Sequence, residues 1–428
     1  MCSTGGDDGE TLLNPKPPLP EKGTLCRKCK TSKAQVILQI KDAYCKECLI
    51  ALCNHKFRAI LGKSRIFGNE QKSVLVAFSG SASSLALLKL LSDAVAAGPS
   101  HRRIMACPKI IYIDEGALLG MSAEERLTKC KEILEVTAGF GFPVYAVPLN
   151  VQDSSPVDIT NYEIHGNTDD KLKSLFESVS DTTSKLDLLN RLRCNVLSSC
   201  AQQLKTSLVM LADNSTSVAV KILSGVSLGK GASISLETGF SDSRHSDVTF
   251  LRPLRDFTSK EATIFSIFSG CPKSVFVPSL LTMSKMDSSI QRLTETFIVN
   301  LQNEFPSTVS TVYRTGEKFC STPSNQPCAF CLGPLDTVHK PCSALEATDF
   351  SRELSTGKKP ESSCGSCDCK NKLRSTLVQT LCYSCRLIVC SVDNPELLPS
   401  TVLENAREAQ SFSKMKSQIE EFLISEGE

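Results

Sequence analysis

No run of about 18 apolar residues occurs anywhere in the chain, so neither a bilayer-spanning helix nor a membrane partner is expected. The opening stretch, "MCSTGGDDGETLLNPKPPLPEKG", lacks the basic region and apolar core of a secretory signal. It is polar, acidic and Pro-rich, and residues 1–22 are expected to form a disordered lead. Without an export signal, the 21 cysteines do not read as the disulfide framework of a small secreted domain. They suit a reducing, cytoplasmic compartment in which paired thiols ligate metal. Between Asn54 and Pro327 there is no CxxC pair, so the paired cysteines belong to the two ends of the chain. A last absence is local: the turn Ser79-Gly80-Ser81-Ala82-Ser83-Ser84 contains neither a carboxylate nor a lysine.

What is present is ample for a folded, multidomain protein. At 428 residues and about 150 residues per domain, more than one domain is expected, and 41% hydrophobic residues can fill a core. The net charge of +2 hides a gradient. Residues 21–72 carry twelve Lys/Arg against four Asp/Glu, leaving the remainder at −6. A basic segment on a near-neutral chain points to a local polyanion contact.

Short apolar runs alternate with helical periods from 71 to 270. Strands are expected at 73–78, 109–114, 143–149, 207–212 and 247–251, with helices near 83–96, 122–138, 185–205 and 215–228. This pattern predicts an α/β domain built on a doubly wound, parallel, five-stranded sheet, with ligands at the carboxyl ends of its strands. Residues 152–184 are polar and turn-rich and are expected as a surface insertion. Residues 23–70 form an N-terminal cysteine module with the basic amphipathic stretch "LIALCNHKFRAILGKSRIF". Residues 271–428 form a helical, cysteine-rich region in which Ile290, Leu293, Phe297 and Leu301 share one helical face. A closing helix is expected over "KMKSQIEEFLI", and no internal repeat is visible beyond the recurring CxxC pairs.

The first module reads Cys26-x2-Cys29-x15-Cys45-x2-Cys48. Two CxxC knuckles supply four thiolates, which closes a tetrahedron around a structural zinc and leaves no position for a reacting water. Cys53 is expected as an ordinary apolar residue. Arg27, Lys28, Lys30, Lys33, Lys41 and Lys46, with Lys56 and Arg58 beyond them, make the module a candidate nucleic-acid clamp; the alternative is a solvated basic face. The second region offers three pairs, Cys328/Cys331, Cys364/Cys367 and Cys382/Cys385, where one zinc needs two. Cys328, Cys331, Cys382 and Cys385 are the first choice, with Cys364 and Cys367 as alternates. Cys320, Cys342, Cys369 and Cys390 are further thiols for a second ion. Cys194 and Cys200 are expected to be packing residues.

The stretch "SVLVAFSGSASSLALL" places a turn of small residues between a strand and a helix, where N–H groups and the helix dipole can hold a phosphate. It resembles the S-G-G-x-D-S loop of tRNA-thiolating ATP pyrophosphatases, with Ser81 in place of the second glycine and Ser83 in place of the acid. Ile113-Asp114-Glu115-Gly116 stands where that fold lines its adenosine pocket. "LADNSTSVAVKIL", "SLGKGASIS" and "LRPLRDFTSKEA" are similar to its later segments. With the two cysteine modules, these residues closely resemble the cytoplasmic tRNA 2-thiolation protein 2 family, from about Cys26 to Ile424.

The resemblance implies an adenine nucleotide alpha-hydrolase fold of the PP-loop ATP-pyrophosphatase type, in degenerate form. It implies a heterodimer with the catalytic tRNA 2-thiolation protein 1, which keeps the intact loop and the reactive cysteines. That pair activates the wobble uridine with ATP and installs sulfur from a thiocarboxylated ubiquitin-related modifier. The product is 5-methoxycarbonylmethyl-2-thiouridine in the tRNAs for Lys, Glu and Gln. In this chain the implied role is noncatalytic, because a turn without its acid organises magnesium and pyrophosphate poorly. A residual ATP site would comprise Ser79, Gly80, Ser81, Ser83, Ser84 and Asp114. The competing readings are an autonomous ATP-dependent thiolating enzyme and a zinc-ribbon adaptor that binds only proteins.

Overall fold

Five apolar runs line up as the parallel heart of a seven-stranded sheet in the computed structural model. The structure describes residues 23–38, 42–68, 70–96, 104–151, 155–164, 166–245, 247–305, 307–320, 326–335, 348, 374 and 377–419. The expected lead at 1–22, and Lys41, Cys342, Cys364, Cys367 and Cys369, lie outside them.

The chain begins with a two-stranded ribbon, β1 (Val36–Ile37) and β2 (Ala43–Tyr44), followed by α1 (Lys46–Ser64). Then come β3 (Lys72–Ala77), α2 (Ala82–Val95), β4 (Ala106–Asp114), α3 (Ala123–Ala138) and β5 (Val144–Pro148). After β6 (Val157–Asp158), α4 (Gly166–Glu177) and α5 (Thr182–Gln203), the chain returns to the sheet at β7 (Leu208–Met210). It continues through α6 (Ser215–Ser227), α7 (Ile234–Thr238), β8 (Ser241–His245), β9 (Val248–Leu251) and α8 (Ser259–Phe268). The C-terminal part holds α9 (Leu280–Met283), α10 (Ile290–Glu304), α11 (Thr308–Gly316), α12 (Tyr383–Ser391) and α13 (Ser400–Ile419). Among the described residues no helix is long and apolar enough to cross a membrane.

The strand order is β6-β5-β4-β3-β7-β9-β8. β3, β4, β5, β7 and β9 pair in parallel and correspond to the five expected strands. The sheet is wider than expected because β6 and β8 add antiparallel edges. Both escape a hydrophobicity reading: β6 has two exposed residues, and β8 reads Ser-Asp-Ser-Arg-His. From β3 the chain steps outward through β4 and β5, then returns to the other side of β3 at β7. The carboxyl ends of β3 and β7 therefore flank the switch point at which a doubly wound sheet opens a crevice.

Alternation along the strands splits the core in two. Val74, Val76, Ile110, Tyr112, Leu208 and Met210 face a layer holding α1, α2, α3 and α8, whose Leu49, Phe57, Leu88 and Phe265 are fully buried. Leu75, Ile111, Val147, Val209 and Phe250 face the opposite layer of α4, α5 and α12. The N-terminal module is thus continuous with the first layer through α1, where Cys53 packs as an apolar residue. The C-terminal cysteines are continuous with the second.

Two expectations need correction. Residues 152–184 are not only surface: Leu172, Leu175 and Phe176 of α4 belong to the second core. On α10 the apolar face is split. Ile298 is fully buried against α6, whereas Leu293 and Phe297 are 58% and 55% exposed.

Candidate functional site

The turn after β3 is assembled from hydroxyls. Ser81 caps α2, its Oγ accepting from the Ser84 N–H at 3.3 Å, and Ser79 Oγ donates to Ser81 Oγ at 3.1 Å. Ser84 is buried, and its Oγ donates back to the Ser81 carbonyl at 2.8 Å. Ser83, at the position of the missing acid, receives a hydrogen bond from Asn214 Nδ2 at 3.0 Å. Asn214 is also the cap of α6, accepting from the Ser217 N–H at 2.9 Å. The starts of α2 and α6 are therefore tied together across the switch point by Asn214, a residue the sequence reading did not single out. Its signal was there: "DNSTS" directly after a strand is a helix-cap pattern.

The backbone at the centre of this turn is covered. Gly80 has φ +76°, and its carbonyl accepts from the Val275 N–H at 3.0 Å. A Cβ on Gly80 would lie 2.7 Å from the Val275 carbonyl oxygen and 3.1 Å from the Val277 side chain. The chain between α8 and α9 thus runs across the turn, with Val275 and Val277 packed on the core and Phe276 turned outward. Gly80→Ala combines a left-handed backbone with this contact and should destabilise the fold by about 1–3 kcal/mol. A fall in the urea midpoint measures it; an unchanged midpoint would show that the chain at Val275 moves aside freely.

Asp114 does not join the turn. It is 2% exposed, and its carboxylate is shared among the Gly116 N–H (3.0 Å), Arg126 Nε (2.8 Å) and the Tyr162 hydroxyl (3.0 Å). Arg126 also donates to Asp169 at 2.6 Å. Burial works against the Arg126 charge, but Asp114 and Asp169 outweigh it and raise the guanidinium above its ordinary range. At the carboxyl end of β7, burial pushes Asp213 up, yet Lys221 at 2.6 Å and Arg252 at 3.3 Å hold it below the usual carboxylate range. The acidic groups near the crevice are thus engaged by the protein's own cations.

The eight first-choice cysteines come together as two quartets, Cys26/Cys29/Cys45/Cys48 and Cys328/Cys331/Cys382/Cys385, with all sulfurs of each set within 4.8 Å. Both follow one plan. In each, the residue after the first CxxC, Lys30 or Leu332, has a left-handed φ (58° and 55°), and its N–H returns to the carbonyl of Cys26 or Cys328. In each, the second CxxC starts a helix, with Cys45 capping α1 and Cys382 capping α12. The positive end of a helix dipole favours thiolates there. A metal–sulfur bond near 2.3 Å in a tetrahedron separates the sulfurs by about 3.8 Å. The structure has 3.9 Å for Cys29–Cys45 and 3.7 Å for Cys331–Cys382. The donor set fits one tetrahedral ion per quartet. In the first, hydrogen bonds from Thr31 and Ser32 hold Cys29 down to about 5, while neighbouring sulfurs push Cys48 up to about 12.

The quartets differ in setting. The N-terminal one is only half-buried, the C-terminal one fully buried. Around the first, Arg27, Lys28, Lys30, Lys33 and Lys46 are exposed, with Arg27 paired to Asp42. Lys56 and Arg58 are structural. Lys56 Nζ lies 3.3 Å from Glu261 and 4.6 Å over the Phe257 ring; Arg58 Nη2 donates to the Asp93 carbonyl at 3.0 Å. Around the second, no sequence signal marked the buried network of Arg191, Lys230, Glu237, Arg244 and Asp187. Burial opposes the Arg191 charge, and Glu237, Cys331, Asp187 and Cys385 outweigh it. Cys200 is buried in the core and Cys194 packs against it.

A family model described as Cytoplasmic tRNA 2-thiolation protein 2 matches residues 289–387. The cytoplasmic tRNA 2-thiolation protein 2 of Danio rerio is 34% identical over 100% of this chain and 99% of its own length. Protein 2-A of Xenopus laevis is 33% identical over 94% and 95%, and the Homo sapiens protein 30% over 95% and 95%. Among solved structures, the U34-tRNA thiolase NcsA from Methanococcus maripaludis, with its [4Fe-4S] cluster, superposes with a TM-score of 0.52 at 17% identity. It covers 79% of this chain and 99% of that one. The chain therefore shares the fold of that protein.

Proposed function

The chain belongs to the cytoplasmic tRNA 2-thiolation protein 2 family, and from that premise we propose that it is the noncatalytic, tRNA-holding subunit of a cytoplasmic wobble-uridine thiolase. It works in a heterodimer with the catalytic tRNA 2-thiolation subunit, which takes sulfur from a thiocarboxylated ubiquitin-related modifier. The tRNAs served are those for Lys, Glu and Gln. The observation that carries this assignment is the state of the nucleotide site. Its turn lacks an acid, Gly80 is covered by Val275, and Asp114 is committed to Arg126. ATP and magnesium belong to the companion subunit.

Zinc in the two quartets supplies fixed cross-links and no reacting water. Sulfurs within 4.8 Å suit one ion; a four-iron cluster, such as NcsA carries, holds its cysteines farther apart. The tRNA meets the N-terminal ribbon of residues 23–70, where Lys28, Lys30 and Lys46 offer exposed charge. Residues 71–270 supply the degenerate PP-loop body, and 271–428 the part closed by the second zinc.

Reconstitution tests the proposal. The chain alone, given tRNA, ATP and sulfide, should form no 2-thiouridine, and adding the companion subunit should restore it. The triple change Lys28→Glu, Lys30→Glu and Lys46→Glu should weaken tRNA binding and flatten its salt slope by up to about 3, each lost phosphate contact contributing about 0.9. Robust thiolation by the chain alone would overturn the noncatalytic role. An unchanged salt slope would remove the ribbon from the tRNA path.

A further inference from the structure

Four thiolates around a divalent ion carry two net negative charges, and such a group is costly to bury unless cations stand beside it. The two quartets meet this demand differently. The N-terminal one has two half-exposed cysteines, so water screens it. The C-terminal one has four buried cysteines within the second core.

The compensating charge is built into the fold. Arg244 Nη1 donates to the Cys331 carbonyl at 3.2 Å. Gly333 shows how near this guanidinium is to sulfur: a Cβ there would lie 3.2 Å from Cys331 Sγ and 3.6 Å from Arg244 Nη1. The missing side chain also lets the Gly333 N–H donate to Cys331 Sγ at 3.4 Å. Arg191 Nη1 holds Glu237 at 2.6 Å, while its Nε and Nη2 are buried without a hydrogen-bond partner among the described residues. Lys230 pairs with Asp187, whose other oxygen accepts from the hydroxyl of Ser384, the neighbour of Cys385. Followed through its ion pairs, the network joins Arg191, Lys230, Arg244, Arg252 and Lys221 to Glu237, Asp187, Asp242 and Asp213. Lys221 is 43% exposed, so among the described residues the buried part of the network is balanced, and the Nε and Nη2 groups of Arg191 are what it leaves unpaired.

We propose that Arg191 and Arg244 are fixed counter-cations of the ion held by Cys328, Cys331, Cys382 and Cys385, positioning residues that set how firmly this centre keeps its metal. The proposal rests on the metal reading of the quartets. It implies a ranking: the C-terminal ion is the slowly released one, and the network governs its release.

The test uses the full chain loaded with zinc or cobalt(II). Transfer of zinc to excess chelator should show a fast phase from the N-terminal quartet and a slow phase from the C-terminal one. Arg191→Met and Arg244→Met should each speed the slow phase at least about tenfold, as loss of an outer-shell partner does, and leave the fast phase unchanged. In the cobalt form, removing a cation from beside the thiolates makes sulfur a better electron donor. The sulfur-to-cobalt charge-transfer band should therefore move to longer wavelength, and Arg191→Lys should move it back. If Arg191→Met does not fold, Arg191→Gln drops the charge and can still donate to Glu237. An unchanged slow phase and band in the neutral variants would overturn the proposal while leaving two metals in place. Wild-type protein that takes up fewer than two ions would overturn the metal reading and the proposal with it.

Discussion

Cys385→Ser is expected to abolish the cooperative thermal transition of the whole sheet, whereas Cys48→Ser should remove one metal and leave that transition standing. The reason is where each sulfur sits. Cys385 is 0% exposed and shares a core with Leu75, Ile111, Val209 and Phe250 of the sheet. Its quartet clamps α12 to the knuckle at Cys328–Cys331, and the Ala329 N–H bonds across to the Thr380 carbonyl at 3.0 Å. A structural zinc contributes about 10–16 kcal/mol of apparent binding energy, as much as or more than the roughly 5–15 kcal/mol that holds a typical domain folded. Losing one ligand therefore threatens the fold. Cys48 lies at the other end of the scale. Its quartet ties the β1–β2 ribbon to the start of α1, while Leu49, Phe57 and Leu61 anchor α1 to the sheet without help from the metal. Native mass spectrometry counts the ions, and circular dichroism on heating reads the transition. A Cys385→Ser protein that melts like the wild type with one ion fewer would show that the second quartet is an ornament on a self-sufficient core.

Much of this arrangement is legible in the sequence. The five parallel strands announce themselves as short apolar runs, since a strand covered on both faces has no polar side to show. The first quartet is legible because four cysteines at that spacing have few other uses inside a cell. The second was legible only as a choice among pairs, because a 50-residue excursion separates its knuckles and spacing alone does not decide which meet. Long-range electrostatics left no trace. Asp114 stands at a strand end where a ligand-binding acid is expected, yet its partners Arg126, Tyr162 and Asp169 arrive from separations of 12 to 48 residues or through Arg126 itself. Lys56 and Arg58 belong to a basic run by sequence but are spent on Glu261 and a backbone carbonyl. Charge counts register how many cations there are, not how many remain free. The common plan of the two quartets also escapes sequence comparison, because only the left-handed residue after each first knuckle and the helix after each second one repeat.

Arg126→Met should be the most damaging substitution that touches no cysteine. It removes the one cation that, among the described residues, pairs with the buried carboxylates Asp114 and Asp169, and leaves the Tyr162 hydroxyl donating to a charge without that counter-ion. Breaking a buried pair from the cationic side costs about 3–5 kcal/mol. Here the space offers no escape, since Gly116 already sits where a Cβ would lie 2.5 Å from Arg126 Cγ. A urea melt of wild type and variant measures the loss; an unchanged midpoint would show that the two carboxylates are compensated from elsewhere. The same variant bears on the nucleotide question. If Asp114 were held in reserve for a ribose, freeing it from Arg126 should create nucleotide affinity. If its work is to anchor α3 against the end of β4, the protein loses stability and gains no ligand, which is the expected result.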